Sequence, residues 1–244
     1  MSTRNSKFLN ASRKYKFLKR IYFFYNIYIR NFKFLFSNSQ FGESKLIYNL
    51  FPKNYRGKYI DIGCFHPTKY NNTYLLYKKG WRGINIDLNP LSIELFNFFR
   101  SKDINLCTAI SNTNSKKKVF FISDLSPENT IESSHKFFLK KFHNYKDNEI
   151  KTKLIKTVKL ENILQKFNFF DIDLMNIDIE GHELKVLKSL NFKKFNVKVI
   201  CIEILSYNSK SRRKNNELLN YLKKNGYRLK AKTTVNYILK KNEK

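Results

Sequence analysis

Acidic residues are scarce in this sequence. Its 244 residues include 19 Asp and Glu against 48 Lys and Arg, which gives a formal net charge of +29. So basic a chain would be drawn to phosphates or to anionic lipid surfaces. Base composition is a second explanation, because the over-used residues Lys, Asn, Ile, Phe and Tyr have A/T-rich codons. We do not expect nucleic acid as the partner, since no zinc-finger or RNP1 motif is present, but a nucleic-acid-binding protein remains an alternative.

Cysteines and long apolar runs are also few. The three cysteines, Cys64, Cys107 and Cys201, form no CxxC pair, and each lies in or at the end of a predicted strand. This spacing argues against a disulfide framework or a zinc site and favours reduced thiols in the cytoplasm. No stretch approaches the roughly 18 apolar residues of a membrane span. We therefore predict a cytoplasmic protein.

Glycine is rare as well, with seven in the chain. The turn after the first predicted strand contains only Gly63, whereas a dinucleotide fingerprint needs GxGxxG. We therefore expect a cofactor with a ribose but no phosphate, whose sulfonium and ammonium groups would suit nearby acids. Asp61 would attract that cation, and Gly63 would let the chain pass close to it. Asp87 follows Gly63 by 24 residues, near the roughly 20 at which an acid meets ribose hydroxyls in dinucleotide sites. Solvated strand-end carboxylates are the alternative.

The first 40 residues differ from the rest of the chain. They contain nine Lys or Arg, no acid, and the aromatic run from Ile21 to Ile29. We predict a basic aromatic extension over residues 1–40 and one domain over residues 41–244. The extension could pack its aromatic face onto that domain, lie in a membrane interface through residues 8–36, or bind a partner or stay disordered.

From Phe41 onward, strands alternate with helices, which predicts a doubly wound, mostly parallel sheet with an antiparallel strand at its edge. Several strands are continuously apolar, as buried parallel strands are. The predicted strands cover residues 59–64, 83–88, 105–110, 117–122, 156–160 (a short edge strand), 172–179, 197–204, 227–230 and 234–239. The predicted helices cover residues 44–50, 67–79, 91–102, 160–167, 181–190 and 212–224. Residues 112–153 are the least regular and would form a lid or insertion.

Three proton acceptors, Asp178, Glu180 and His182, stand at alternate positions where the strand over 172–179 runs out into a helix. A group there could accept the proton of a substrate hydroxyl, an effect worth about 10²–10⁴ in rate. Carboxylates are also favoured in the first turn of a helix by its dipole, and His182 could equally be a surface residue. No complete set of metal ligands is readable, so we predict no metal.

Two stretches together resemble the FkbM family of S-adenosylmethionine-dependent methyltransferases. They are YIDIGCFHPTKYNNTYLLYKKGWRGINIDLNP and, far downstream, LMNIDIEGHELKVLKSL followed by VKVICIEI. The resemblance covers residues 59–204. It implies a Rossmann-like sheet of seven strands and O-methylation, often of sugars in surface polysaccharides or of secondary metabolites.

The resemblance also implies roles for individual residues. It assigns the methionine end of the cofactor to Asp61, Gly63 and Cys64, its neighbourhood to Asn72 and Thr73, and its ribose to Asp87. His66, Leu88 and Asn89 are further predicted contacts, and Asp178, Glu180 and His182 fall on the second conserved block of the family. We therefore predict an S-adenosylmethionine-dependent O-methyltransferase acting on a small molecule or glycan, in the cytoplasm or at the inner membrane surface.

Overall fold

The computed structural model describes residues 16–36, 39–123, 126, 129–132, 140, 145–146, 149–204 and 209–242. Its helices are α1 (Lys16–Phe24), α2 (Glu43–Tyr48), α3 (Tyr74–Lys78), α4 (Pro90–Phe99), α5 (Leu160–Lys166), α6 (Glu183–Lys188) and α7 (Ser209–Lys224), with a π-helical turn at Tyr25–Arg30 and a 3-10 turn at Phe32–Leu35. Its strands are β1 (Lys58–Ile62), β2 (Arg82–Asp87), β3 (Ile104–Cys107), β4 (Ala109–Ser111), β5 (Lys116–Phe121), β6 (Lys151–Lys159), β7 (Asp171–Ile177), β8 (Asn196–Glu203), β9 (Tyr227–Lys232) and β10 (Asn236–Lys241).

Seven strands form the main sheet, in the order β3-β2-β1-β7-β8-β10-β9. The first five of these are parallel, and β10 is antiparallel to both of its neighbours. The sheet is buried on both faces, which explains the continuous apolar runs of its central strands. The predicted α/β fold with a mostly parallel seven-stranded sheet is thus confirmed. The reversed strand is β10, which lies one place inside the edge strand β9.

A second sheet has three strands in the order β4-β6-β5. Two strands predicted from the sequence differ from the strands observed here. The strand predicted over residues 105–110 is divided between β3 and β4, because the chain leaves the main sheet at Thr108, whose N–H donates to the Asp87 carbonyl (2.9 Å). Residues 156–159 of the short edge strand predicted over 156–160 are the end of β6, and Leu160 begins α5. Strand β6 has nine residues and lies between β4 and β5. The first part of β6 is rich in lysine and exposed, so the sequence pattern indicated only the last part of this strand.

The helix predicted over residues 67–79 is present only in its second part, as α3. Tyr70, inside the predicted range, has a φ of +52°, a left-handed conformation that a right-handed helix cannot contain. The residues before it form a turn in which His66 Nδ1 accepts hydrogen bonds from the backbone N–H groups of Thr68 (3.2 Å) and Lys69 (3.0 Å).

The described part of the N-terminal extension packs onto the sheet domain. Tyr22, Phe23 and Ile27 are buried against Leu91 and Leu95 of α4. Packing, one of the three alternatives for this segment, is therefore observed for one of its faces. The membrane contact predicted for residues 8–36 stays a prediction, and residues 8–15 lie outside the described part of the chain. Among the described residues, no helix is long and apolar enough to cross a bilayer.

The lid or insertion predicted over residues 112–153 is described only in part. Its two ends form β5 and the start of β6. Most of the stretch between residues 133 and 148 lies outside the described residues, so the lid stays a prediction.

Gly63, directly after β1, is required by a close approach of two backbone segments. Its φ is +81°, and an added Cβ would lie 1.7 Å from the Asp178 carbonyl oxygen. The close approach of Gly63 to the cofactor stays a prediction. The structure shows a further reason for this glycine, which is contact between the turn after β1 and the turn after β7.

We expect Gly63→Ala to destabilise the fold more than Gly226→Ala. Gly226 has a similar φ of +86° but has no atom within 4 Å of an added Cβ. Both variants meet the left-handed backbone penalty of about 1–2 kcal/mol, and Gly63→Ala adds a clash worth about 1–3 kcal/mol more. Urea unfolding followed by circular dichroism measures both. Equal losses of unfolding free energy would contradict the close-approach explanation.

Candidate functional site

A cavity of about 350 Å³ lies at the carboxyl ends of the parallel strands. It spans the point where the chain order of the sheet reverses, between β1 and β7. Open α/β sheets bind ligands at such switch points. Asp61 and Asp87 both line this one cavity, so the two predicted acids share a site.

Four adjacent strands contribute an acid to this cavity at or near their carboxyl ends. In sheet order these are Asp87 (β2), Asp61 (β1), Asp178 (just after β7) and Glu203 (β8), and Glu180 adds a fifth carboxyl. No Lys, Arg or His belongs to the described residues that line the cavity. The cavity is therefore acidic in a protein whose formal charge is +29.

Asp61 is fully buried and held by three side chains. Its carboxylate accepts hydrogen bonds from Asn71 Nδ2 (3.1 Å), Thr73 Oγ1 (2.8 Å) and Asn176 Nδ2 (2.8 Å). Burial raises the pKa of Asp61 above its ordinary value, and these hydrogen bonds act in the opposite direction. The carboxylate is thus fixed in one orientation at the floor of the cavity.

The buried guanidinium of Arg100 lies behind this arrangement. It donates to Thr73 Oγ1 (2.8 Å), Asn71 Oδ1 (2.8 Å) and the carbonyl of Pro67 (3.1 Å from Nε). Thr73 therefore connects Asp61 to Arg100 and does not line the cavity. Thr73, predicted to lie in the neighbourhood of the cofactor, therefore positions Asp61 and does not itself face the cavity.

Asn72 and Cys64, two other predicted contacts, do line the cavity. Asn72 Nδ2 donates to Asn176 Oδ1 (3.0 Å). Cys64 is buried, and burial raises the pKa of its thiol well above the ordinary value. The thiol is therefore neutral at physiological pH, and it forms part of the cavity wall.

Asp87 ends β2 and organises the neighbouring loops. One of its oxygens accepts the Phe65 N–H (2.8 Å) and the other accepts the Asn89 N–H (2.7 Å). Burial raises its pKa to about 6. The Asn89 side chain is a third hydrogen-bond donor to this carboxyl group. A carboxylate has about four acceptor positions, so Asp87 can accept a further donor from a ligand. Leu88 and Asn89 line the cavity beside it, and their predicted contact with the cofactor stays a prediction.

His66 lies outside the lining of the cavity, contrary to its predicted role. Because its Nδ1 accepts two backbone N–H groups, its proton is on Nε2, which donates to Asn26 Oδ1 (2.8 Å). Burial lowers the pKa of His66 to about 3, so the ring is neutral. This histidine joins the N-terminal segment to the loop after β1.

A turn of the backbone separates Asp178 and Glu180 from His182, the third predicted proton acceptor. Asp178 and Glu180 line the cavity, but His182 does not. Alternate residues share a side only while a chain is extended, and here β7 ends at Ile177 and Glu180 has a φ of +54°. His182 is buried, with Nε2 3.1 Å from Ser111 Oγ and Nδ1 3.1 Å from Glu132 Oε2.

Glu203 is the cavity acid that sequence reasoning missed. Its carboxyl is hydrogen-bonded to that of Asp178. Burial raises the pKa of Asp178 to about 7 and that of Glu203 well above its usual range, so the pair holds a proton near neutral pH. The available signal was an acid at the end of an apolar strand, the same pattern that marked Asp61 and Asp87.

Three carboxyl groups of the cavity could hold a metal ion. One oxygen from each of Asp178, Glu180 and Glu203 lies within 4.8 Å of the others. Carboxylate oxygens suit Mg²⁺ or Ca²⁺, which take six or more ligands. Three oxygens do not complete such a set, and the absence of a metal stays a prediction.

The mostly parallel sheet with a cavity at its switch point defines a Rossmann-like α/β protein. The sequence matches the family described as "Methyltransferase FkbM domain" over residues 57–229, so this chain belongs to the FkbM methyltransferase family. The resemblance seen in the sequence is confirmed. A solved structure, described as a TehB-like SAM-dependent methyltransferase from Corynebacterium glutamicum, is 14% identical with a TM-score of 0.45, covering 89% of this chain and 96% of that one. None of the curated proteins compared with the chain matches it.

We expect Glu203→Gln to stabilise the protein at pH 8 but not at pH 5. In the native protein the pKa values of Asp178 and Glu203 are raised, so between about pH 4 and pH 7 the folded state keeps protons that the unfolded state has lost. Native stability therefore falls as the pH rises through this window. Glutamine resembles the protonated acid and removes part of that loss, a gain on the order of 1–3 kcal/mol at pH 8.

Urea unfolding at the two pH values measures this difference. Glu217→Gln is the matched control, because Glu217 is exposed and its pKa is lowered by Lys188. No pH 8 gain is expected for the control. A Glu203→Gln variant that is no more stable than the native protein at pH 8 would rule out a buried, proton-sharing pair.

Proposed function

We propose that this protein is an S-adenosylmethionine-dependent methyltransferase that methylates a hydroxyl group on a sugar, glycan or related small molecule. The observation that carries the proposal is the five-acid cavity, without a described Lys, Arg or His in its lining, in a strongly basic chain. A phosphate-bearing cofactor would be repelled by these carboxylates, whereas a cationic nucleoside would be attracted.

The residues of the cavity fit this cofactor. When bound, S-adenosylmethionine supplies an electrophilic methyl group on a positively charged sulfonium. Asp61 and the neighbouring acids would balance the charge of its sulfonium and ammonium groups. Asp87, at the end of β2, would accept a hydrogen bond from a ribose hydroxyl, since the donors that already hold it do not fill all of its acceptor positions. Cys64, Leu88 and Asn89 would complete the contacts.

Asp178 is our choice for the proton acceptor. A general base works best with a pKa near the working pH, and burial raises the pKa of Asp178 to about 7. The protonated Glu203 carboxyl would donate its hydrogen bond to the Asp178 carboxylate and keep it oriented. Glu180 lies on the same wall. His182, which was also predicted, lies outside the cavity, and we leave it out of this role.

Polar side chains on the cavity wall support a hydroxylated acceptor. Gln40, Tyr70, Asn129 and Thr130 line the cavity together with its carboxyl groups. Amide and hydroxyl groups of this kind orient polar ligands such as sugars. The acceptor would be fixed in line with the methyl group, and such alignment contributes about 7–11 kcal/mol in oriented reactions.

We expect Asp87→Asn to weaken binding of S-adenosylmethionine by about 10–100-fold, because it removes a charged partner of the ribose hydroxyls. Titration calorimetry measures the affinity. Asp171→Asn is the matched control and should bind normally, since Asp171 is exposed at the opposite, amino end of β7. Absence of binding heat from the native protein would remove the cofactor proposal.

The same titration gives a pH test. Because the pKa of Asp87 is about 6, its carboxylate becomes protonated as the pH falls from 7.5 to 5. Native affinity should decrease over this range, and the Asp87→Asn variant should show a smaller decrease. Equal slopes for the two proteins would mean that another group controls binding.

We expect Asp178→Asn to lower kcat by about 10²–10⁴ while cofactor binding persists, because the variant cannot accept the hydroxyl proton. Transfer of a labelled methyl group to sugar nucleotides and glycan extracts measures the rate. A variant with full turnover would exclude Asp178 as the base. Methylation confined to nitrogen or carbon atoms would overturn the assignment to a hydroxyl.

A further inference from the structure

Large apolar side chains are unusually exposed on the N-terminal segment. Half of the fourteen that are exposed in the described residues come from positions 17–36. The six most exposed of these form what we call the aromatic face: Phe17, Ile21, Phe24, Ile29, Phe32 and Phe36, with exposed fractions from 41% to 73%. Several large apolar side chains exposed on one short segment are typical of an interaction site.

The aromatic face is separate from the face that packs on the domain. Phe17, Ile21 and Phe24 follow the i, i+4, i+7 spacing of one helix side. Tyr22, Phe23 and Ile27 occupy the other side and are buried against α4. The fold therefore does not need the aromatic face for its own packing.

Cations accompany the aromatic face. Arg20, Arg30 and Lys33 are exposed, and the first acidic residue of the chain is Glu43, which is fully buried. Lys69 lies close to this cluster. Its pKa is lowered, first by burial and then by the charges of Arg30 and Lys33. These positive charges crowd one another and would be stabilised by an anionic surface.

The segment also reaches the rim of the acidic cavity. The Phe34 ring lies 4.9 Å from that of Tyr70, and Lys69 Nζ lies over both rings. Tyr70 is 47% exposed and lines the cavity, as does the exposed Gln40. Phe34 is buried and is not part of the aromatic face, but Phe32 and Phe36 lie two residues to either side of it in the chain. This end of the aromatic face is therefore the part of it next to the cavity.

We propose that the aromatic face and the cations Arg20, Arg30 and Lys33 bind the surface of an anionic phospholipid bilayer. Aromatic and aliphatic side chains would enter the boundary between headgroups and acyl chains, while the cations would pair with lipid phosphates. The protein would lie on the bilayer with its cavity opening at the membrane surface. This inference does not depend on methyl transfer.

The combination of side chains favours a bilayer over a nucleic acid. Phosphates of DNA or RNA would satisfy the cations, but Ile21 and Ile29 have no ring on which a base could stack. Both would instead insert into the apolar part of a bilayer.

Sedimentation with vesicles tests the apolar part of the proposal. The full chain should bind vesicles of equal parts phosphatidylcholine and phosphatidylglycerol at about 0.15 M salt, and bind pure phosphatidylcholine at least tenfold less. Phe17→Ser combined with Ile29→Ser should weaken binding at least tenfold. The matched control, Leu154→Ser combined with Leu229→Ser, removes two apolar side chains elsewhere that are also more than half exposed, and it should bind as the native protein does.

A second pair of variants separates the local cations from the overall charge. Arg20, Arg30 and Lys33 are changed to Gln in one variant, and Lys223, Lys224 and Lys230 in the other. Both lose three charges, but the second set is exposed at the far edge of the sheet, near β9. Only the first should lose vesicle binding by tenfold or more. Equal losses would mean nonspecific attraction and overturn the proposal.

Two further outcomes would also overturn it. One is native binding to neutral and anionic vesicles alike. The other is no vesicle binding together with binding to duplex DNA or RNA that the Arg20, Arg30 and Lys33 changes remove. Thermal unfolding of every variant checks that a loss of binding does not come from a loss of fold.

Discussion

The buried guanidinium of Arg100 supports the loop that holds Asp61 in the cavity. Its hydrogen bonds to Pro67, Asn71 and Thr73 hold the loop between β1 and α3, and that loop in turn holds Asp61. A buried cation is costly unless it is paired and fully hydrogen-bonded. Here the cation also lowers the cost of burying the Asp61 carboxylate, so the same network that shapes the loop allows an acid beneath the ligand site.

Charge is distributed unevenly over this protein, and the sheet topology explains how. Parallel strands bring their carboxyl ends to one edge, so four separate acids, far apart in the chain, meet in one cavity. None of the described residues that line this cavity is Lys or Arg. A chain that is basic overall can therefore enclose an acidic cavity.

Sequence reasoning succeeded where the local pattern and the tertiary arrangement agree. Asp61 and Asp87 follow apolar strands, and neighbouring parallel strands place them in one cavity. It failed for His182 because the alternate spacing in the second block assumes an extended chain, whereas the backbone turns at Glu180. It failed for His66 because nothing in the local sequence shows that Asn26, 40 residues earlier, accepts a hydrogen bond from its ring.

By itself, the sequence determined the fold class, the main strands, the family and the acids at the ends of β1, β2 and β7. These follow from apolar periodicity, from single residues at strand ends and from short motifs, all of which are local. Only the tertiary structure decided that Glu203 pairs with Asp178, that Gly63 serves a backbone contact, and that one face of the N-terminal segment is buried while the other stays exposed. Each of these depends on groups that lie far apart in the chain, and the contacts between them exist only once the sheet has formed.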